Sequence, residues 1–528
     1  MRSQVVGPSS TTDRSASDWL VARSRSGIAV LRVRSRSAAR TSRRARFAVN
    51  ADLALLIQLV LVVFLAEVAV GSKGFADEPQ PQGVSGSPSA RPPNVLFIAV
   101  DDLNDWIQPL GGHPDARTPN LDRLAERGVL FTRAYCSAPA CNPSRASLLS
   151  GVHPTTSGVY HNQSPWRRAM ADLTTLPRWY RKHGYHVAGG GKIFHGTSND
   201  PDAWDEYVRQ SRDPLPEDRP LNGIPQAAHF DWGPIDVPEE SMGDRKIADW
   251  AARFLSEPRE KPFFLAVGFY RPHLPWHVPR EWFRDFAPES VKLPEVKEGD
   301  LDDVPAAGKA FARRGDHRRV VERDQWRKAV ASYLASMRFV DAMIGRVIDA
   351  LDSGPHASRT IVVLWGDHGW HLGEKEHWRK FALWEEATRV PLMVVAPGVT
   401  KEKSRSARTV SLLDLYPTLV ELCDLPRPEW LEGRSLVPLL SNPTSEWDRP
   451  VVTTHGLGNH AVRSERYRLI RYADGSEELY DHEKDPREWT NIASLPESKE
   501  IIEKLERFLP TKEAPETKRP ARAERGEE

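Results

Sequence analysis

Hydrophobic residues in the middle of this chain come in short unbroken runs, each ending abruptly on charged or polar side chains. Asn94–Val100 (NVLFIAV) is apolar after its first residue and stops at Asp101-Asp102, which is how a strand covered on both faces of a parallel sheet reads. The design recurs: Tyr185 to Gly191 leads to Lys192 and His195, Pro262 to Phe269 leads to Arg271 and His273, and Thr360 to Trp365 leads to Asp367 and His368. Open α/β sheets place their ligand sites at the C-terminal ends of such strands. Four separate segments therefore point to one edge of one sheet.

Between these runs the period changes from continuous to helical. From Asp324 to Asp352, apolar residues at Val330, Leu334, Met337, Val340, Ile344, Val347 and Leu351 recur in steps of three or four, and Gly354 stands where a helix stop belongs. That stripe is core packing. From about Glu446 the pattern becomes short polar strands with turns, Ala461 to Tyr472 and Glu477 to Tyr480, followed by a helical segment from Lys499 to Phe508. This predicts a small α+β domain with an antiparallel sheet. The expected fold class is α/β: a large, mostly parallel sheet sandwiched by helices over 93–445, with the smaller α+β domain over 446–510. Residues 77–92, rich in Pro, Ser and Gly, read as a linker, and residues 511–528, charged and free of large apolar side chains, as a disordered tail.

Composition changes this picture mainly at the N-terminus. The 528 residues are 40% hydrophobic and 27% charged, enough for one large core and a smaller one. The net charge of +1 hides eleven Arg in residues 1–50, so that everything after Ala76 sums to −7. Such a body offers no cationic face for nucleic acid, although one pocket can still be positive. The Arg-rich stretch runs into the apolar segment Leu53–Ala66 and then into small residues, so residues 1–76 read as a basic leader and signal peptide. The apolar run is shorter than the ~20 residues a membrane span needs. Export to the periplasm or the medium is expected, with no stable membrane span after cleavage. Three cysteines, Cys136, Cys141 and Cys423, are too few for a disulfide scaffold.

One of these cysteines opens a helical pattern. Cys141-Asn142-Pro143-Ser144-Arg145 is followed by Ala146 to Ser150 and Gly151, with Pro143 suited to a first turn. A Cys there meets free N–H groups that favour an anion such as sulfate. On its own the position serves a structural thiol as readily as a reactive one.

C-x-P-S-R before a small-residue helix resembles the sulfatase signature, in which the Cys is oxidised to formylglycine by a dedicated maturation enzyme. Gly184 to His195 (GYHVAGGGKIFH) is similar to the second sulfatase signature; Val187 replaces the usual Ser or Thr, and Gly190 is also atypical. With Asp101-Asp102, Arg271-Pro272-His273 and Gly366-Asp367-His368-Gly369-Trp370, the resemblance spans about residues 93–490 and is nearest to the iduronate-2-sulfatase branch. It implies an alkaline-phosphatase-like fold and hydrolysis of a sulfate ester on a saccharide, with a 2-sulfated uronic acid as the leading substrate. It also implies a catalytic set of Cys141, Arg145, Lys192, His195, His273 and Lys380, and a Ca²⁺ held by Asp101, Asp102, Asp367, His368 and position 141. Hard carboxylate oxygens suit Ca²⁺, whereas a nitrogen is a poor ligand for it. Arg379 and His277 are rivals to Lys380 and His273. Trp370 is a candidate for stacking on a sugar face. A phosphodiesterase or phosphonate hydrolase of the same superfamily, and a non-catalytic glycan-binding homologue, are the competing readings.

Overall fold

The computed structural model describes residues 20–24, 27–31, 91–196, 199–225 and 229–518. Leu20–Ser24 and Gly27–Leu31 form an antiparallel hairpin in an N-terminal unit that ends at Pro88. The apolar run Leu53–Ala66 and most of the expected linker lie outside the described residues. No helix among the described residues is long and apolar enough to cross a membrane.

The main body is built on eight strands: β1 (Asn94–Val100), β2 (Val129–Tyr135), β3 (His186–Gly191), β4 (Glu206–Val208), β5 (Phe263–Phe269), β6 (Thr360–Gly366), β7 (Arg389–Val395) and β8 (Ser404–Ser411). Their spatial order is β8-β2-β7-β6-β1-β5-β3-β4. β7 runs antiparallel to both of its neighbours, and every other pair is parallel. The predicted sheet is therefore mixed by a single strand.

β1 at its centre is buried along its whole length. Successive side chains of a strand face opposite ways, so its alternate residues enter two different cores. Leu96, Ile98 and Val100 pack with α1 (Pro119–Glu126), with the stripe of α4 (Trp326–Ser353) and with α3 (Gly243–Ser256). Val95, Phe97 and Ala99 pack with α2 (Cys141–Ser150) and α5 (Leu415–Leu422). A helix layer on each face leaves the strand ends as the open edge. There β1, β3, β5 and β6 release Asp101, Lys192, Arg271 and Asp367.

The smaller domain is a four-stranded antiparallel meander of β9 (Val451–Thr454), β10 (His460–Arg463), β11 (Tyr467–Arg471) and β12 (Glu477–Asp481). Helix α6 (Lys499–Glu506) covers one face, Ile502 and Leu505 meeting Val462, Leu469 and Leu479. The described part of the expected tail, residues 511–518, departs from expectation, and residues 519–528 lie outside the described residues. Residues 511–518 lie against the main body, with Ala514 N–H donating to Thr155 O (2.7 Å) and Thr517 N–H to Gly158 O (2.9 Å). Composition missed this because the tail is held by backbone hydrogen bonds and by Glu513 and Glu516 on histidines, not by apolar burial.

Candidate active site

Cys141 is the first residue of α2 and is completely buried. The extended backbone of Ala140 turns into the helix there, so the thiol sits at the end with free N–H groups. Three cationic groups converge on it. Lys380 Nζ lies 3.0 Å from Cys141 Sγ, His368 Nε2 3.3 Å and Lys192 Nζ 3.9 Å. Burial pushes the thiol's pKa up, but Lys192, Lys380 and His368 outweigh it and hold it well below the ordinary thiol value. The other two cysteines are inert by comparison. Cys136 is pushed up by burial and Asp367, and Cys423 by burial beneath Tyr180, whose hydroxyl lies 3.2 Å from its sulfur.

Arg145 sits one turn along α2 and faces the carboxylates. Its Nε donates to Asp367 Oδ2 (2.8 Å), its Nη2 to Asp101 Oδ1 (3.1 Å) and its Nη1 to the carbonyl of Ile193 (3.1 Å). One guanidinium thus ties the ends of β1, β3 and β6 together, a task that needs its planar fork of donors. Lys192 bonds the other oxygen of Asp101. Burial raises the Asp101 pKa, but Lys192, His273 and Arg145 bring it below the usual carboxylate range. His273 Nε2 is 3.9 Å from Asp102 Oδ2, while its Nδ1 is 2.6 Å from Leu274 O. A ring that donates through Nδ1 turns its Nε2 toward the site. His195 is drawn down by burial and is bonded to Cys141.

The carboxylates form the opposite wall. Asp102 has a left-handed backbone (φ 57°), a conformation that Asp tolerates, and its N–H donates to Asp367 Oδ1 (3.0 Å). Lys380 Nζ holds its Oδ1 at 2.7 Å, but its Oδ2 is buried with no hydrogen-bond partner among the described residues. Ligand atoms of Asp101, Cys141, Asp367 and His368 lie within 4.8 Å of one another, as do those of Asp101, Asp102, Cys141 and His273. Three hard carboxylates, one with an unsatisfied buried oxygen, fit a Ca²⁺ ion. Burial pushes the His368 imidazole down, but Asp367 more than reverses this and lifts it to about 9.

The rival residues are engaged elsewhere. Arg379 Nε pairs with Asp316 Oδ2 (3.0 Å) and its guanidinium covers the Phe230 ring. His277 Nε2 is buried on Asp231 Oδ2 (3.1 Å). Trp370 does not offer a stacking face. It is 2% exposed, with Trp276 at 6.0 Å and Lys380 Nζ over its ring at 5.4 Å. Sequence spacing placed it beside the metal pair but could not say that the ring points into the core. The atypical Gly190 has a local cause: a Cβ there would lie 2.4 Å from the Trp250 ring of α3.

Comparison with known proteins accords with this geometry. Residues 93–425 match the sulfatase family, and residues 373–514 match the family described as N-sulphoglucosamine sulphohydrolase, C-terminal. The chain belongs to the sulfatase family. A sulfatase of Formosa agariphila is 39% identical over 79% of this chain and 86% of its own length. Iduronate 2-sulfatase of Mus musculus is 31% identical over 68% of this chain and 73% of its own. Among solved structures, a 2-O GAG sulfatase superposes with a TM-score of 0.63 at 25% identity, covering 78% of this chain and 90% of that one. This sulfatase is thus built to hydrolyse a sulfate ester with a nucleophile derived from Cys141, next to a cluster of acidic and histidine side chains of the Ca²⁺-binding kind.

Proposed function

We propose that this sulfatase removes a sulfate ester from a sulfated saccharide, that position 141 acts as formylglycine, and that a terminal 2-sulfated uronic acid is its substrate. The observation that carries the reaction is the convergence of Lys380, His368 and Lys192 on Cys141 Sγ, at 3.0, 3.3 and 3.9 Å. The Sγ marks the position of the attacking oxygen, and the cations surround the place where a sulfuryl group would carry its negative charge. Formylglycine, once hydrated, supplies one hydroxyl to attack sulfur and a second to expel sulfate as the aldehyde reforms. Bound Ca²⁺ supplies Lewis acidity that lowers the pKa of the attacking hydroxyl; Asp101, Asp102 and Asp367 would hold it.

The remaining tasks fall to side chains. Lys192 and Lys380 neutralise the sulfuryl oxygens, a preorganised electrostatic role worth about 10²–10³ in rate per donor. Arg145 fixes the carboxylates and orients position 141. His273, with its Nε2 turned inward, is the proton donor to the leaving alcohol. His195, bonded to position 141 and drawn toward the neutral form by burial, takes the proton of the second hydroxyl.

The choice of sugar rests on the motifs around Lys192, His273 and Asp367 and on likeness to relatives named for iduronate and for 2-O sulfates. A locally cationic pocket in a body of net charge −7 suits a sugar carrying both sulfate and carboxylate. Two measurements test the proposal. Peptide mass spectrometry of active enzyme is expected to find formylglycine at position 141; unmodified Cys in fully active protein would overturn that step. A panel of sulfated saccharides and phosphonate esters is expected to show turnover on 2-sulfated uronates, and activity confined to neutral sulfated hexoses would refute the sugar assignment alone.

A further inference from the structure

We infer that Arg313 is the specificity residue that receives the carboxylate of the sugar whose sulfate is removed, an inference that rests on the substrate reading above. Of the five arginines between 313 and 323, four are matched by a carboxylate: Arg314 by Glu376 (2.9 Å), Arg318 by Glu322 (3.8 Å), Arg319 by Asp316 (2.6 Å) and Arg323 by Glu322 (4.0 Å). Arg313 is exposed and has no carboxylate within ion-pair distance among the described residues. Its guanidinium instead lies over the Phe381 ring, 5.1 Å from the centroid. Lys380 Nζ, which is on the nucleophile, lies 5.8 Å from the same centroid. Two cations therefore flank one aromatic ring, one directed at the sulfuryl position and the other uncompensated.

Their spacing is fixed by a buried imidazole. The Arg313 N–H donates to His377 Nδ1 (2.7 Å), so His377 Nε2 carries the hydrogen and donates to the Lys380 carbonyl (2.9 Å). Only the neutral ring can accept at one nitrogen and donate at the other. Burial, with Arg313 and Arg379 nearby, lowers the His377 pKa to about 3 and so keeps that form. His377 is thus a positioning residue that locks the backbone of Arg313 to that of Lys380. Beyond Phe381 the rim continues through His455, whose ring is 5.9 Å from Phe381 and 6.4 Å from His161. An acidic side chain of the chain itself already sits on this rim, Glu516 Oε1 being 3.6 Å from His161 Nε2. Arg313 is the cation of this stretch with no carboxylate among the described residues, and it shares the Phe381 ring with Lys380. A planar guanidinium gives a carboxylate two parallel hydrogen bonds that an ammonium cannot.

The test uses the full-length, formylglycine-bearing enzyme and two substrates. One is a disaccharide ending in a 2-sulfated uronic acid, and the other is the same disaccharide with that carboxyl reduced to the alcohol. Wild type is expected to prefer the carboxylate, and in Arg313→Gln the ratio of the two kcat/KM values is expected to fall about tenfold or more, mainly through KM. Arg313→Lys should keep part of the preference and Arg313→Glu should invert it. A merely structural role would depress both substrates together and leave the ratio unmoved, which overturns the inference. If wild type turns over the 2-sulfated uronate with a preference that survives Arg313→Gln, the inference falls and the substrate reading stands. If wild type is indifferent to the carboxyl, or turns over neither compound, both fall.

Discussion

Two places in this molecule bury charge densely, and they differ in what they leave open. At the sheet edge, Arg145, Lys192, Lys380 and His368 face Asp101, Asp102 and Asp367, yet Asp102 Oδ2 and His195 Nδ1 are buried with no hydrogen-bond partner among the described residues. At the joint between the main sheet and the small domain, Glu385 lies against Arg463 (3.3 Å) and bonds Arg468, while Glu488 lies 2.6 Å from Arg468 and 2.9 Å from His482. Glu488 also accepts the N–H of Glu385 (2.9 Å), and Tyr135 donates to Glu385 (2.8 Å). Carboxylates in the joint are closed by the protein's own donors. At the sheet edge each cation has a carboxylate partner, yet one carboxylate oxygen is left without a hydrogen bond among the described residues. An unsatisfied buried oxygen costs stability, a cost that a bound metal ion would offset. One cluster is cement; the other is a socket.

The comparison is broken most severely by removing the nucleophile. Cys141→Ala is expected to abolish turnover, by about 10⁴-fold or more, while far-UV circular dichroism and the thermal midpoint stay near those of wild type, because the joint and both cores are untouched. Chelation comes next. Stripping divalent metal, verified by elemental analysis, should remove most activity and also lower the thermal midpoint, since a metal that binds only the folded protein stabilises it. Activity that survives verified metal loss would show that the socket is filled by the protein's cations alone.

The joint should respond in the opposite sense, in stability first. Glu385→Ala leaves Arg463 and Arg468 buried without their partner and is expected to cost about 3–5 kcal/mol of unfolding free energy, read by denaturant titration. Burial raises the Glu385 pKa, but Arg463, His482 and Arg468 hold it well below the carboxylate range. A depressed folded-state pKa contributes stability that is complete above the unfolded value, about 4.3, and is lost as pH falls through the folded value. The acid side of the stability curve should therefore be shallower in the variant. The smallest effect is expected at Trp370. Since its ring lies in the core and not in the pocket, Trp370→Phe should leave KM for saccharides within about twofold and lower stability by about 1–3 kcal/mol. A large rise in KM with unchanged stability would return Trp370 to the binding surface.

Much of the site was legible because its chemistry is local in sequence. A Cys before Pro143 and Arg145, paired acids after an apolar run, and Lys192 and His195 after another each carry their meaning within a few residues. Strand ends are marked by where hydrophobicity stops, so that four segments point to one edge from residue pattern alone. Other features were not legible. The reversed direction of β7 depends on its pairing with β6 and β2, and no residue type announces strand direction.

What the sequence determined by itself is the chemical character of the strand-end residues and the layered α/β plan, because residue chemistry and hydrophobic period are properties of short stretches. The tertiary structure decided everything that depends on which side chain meets which across long separations. It turned Trp370 inward, set Arg379 on Asp316 and Lys380 on Cys141, and laid residues 511–518 on the body. Among the described residues it also left Asp102 Oδ2 without a hydrogen-bond partner and the Arg313 guanidinium without a carboxylate. The physical reason is that a charge is neutralised by whatever lies a few ångströms away in space, and for Lys380 and Asp102 that neighbour is 278 residues distant along the chain.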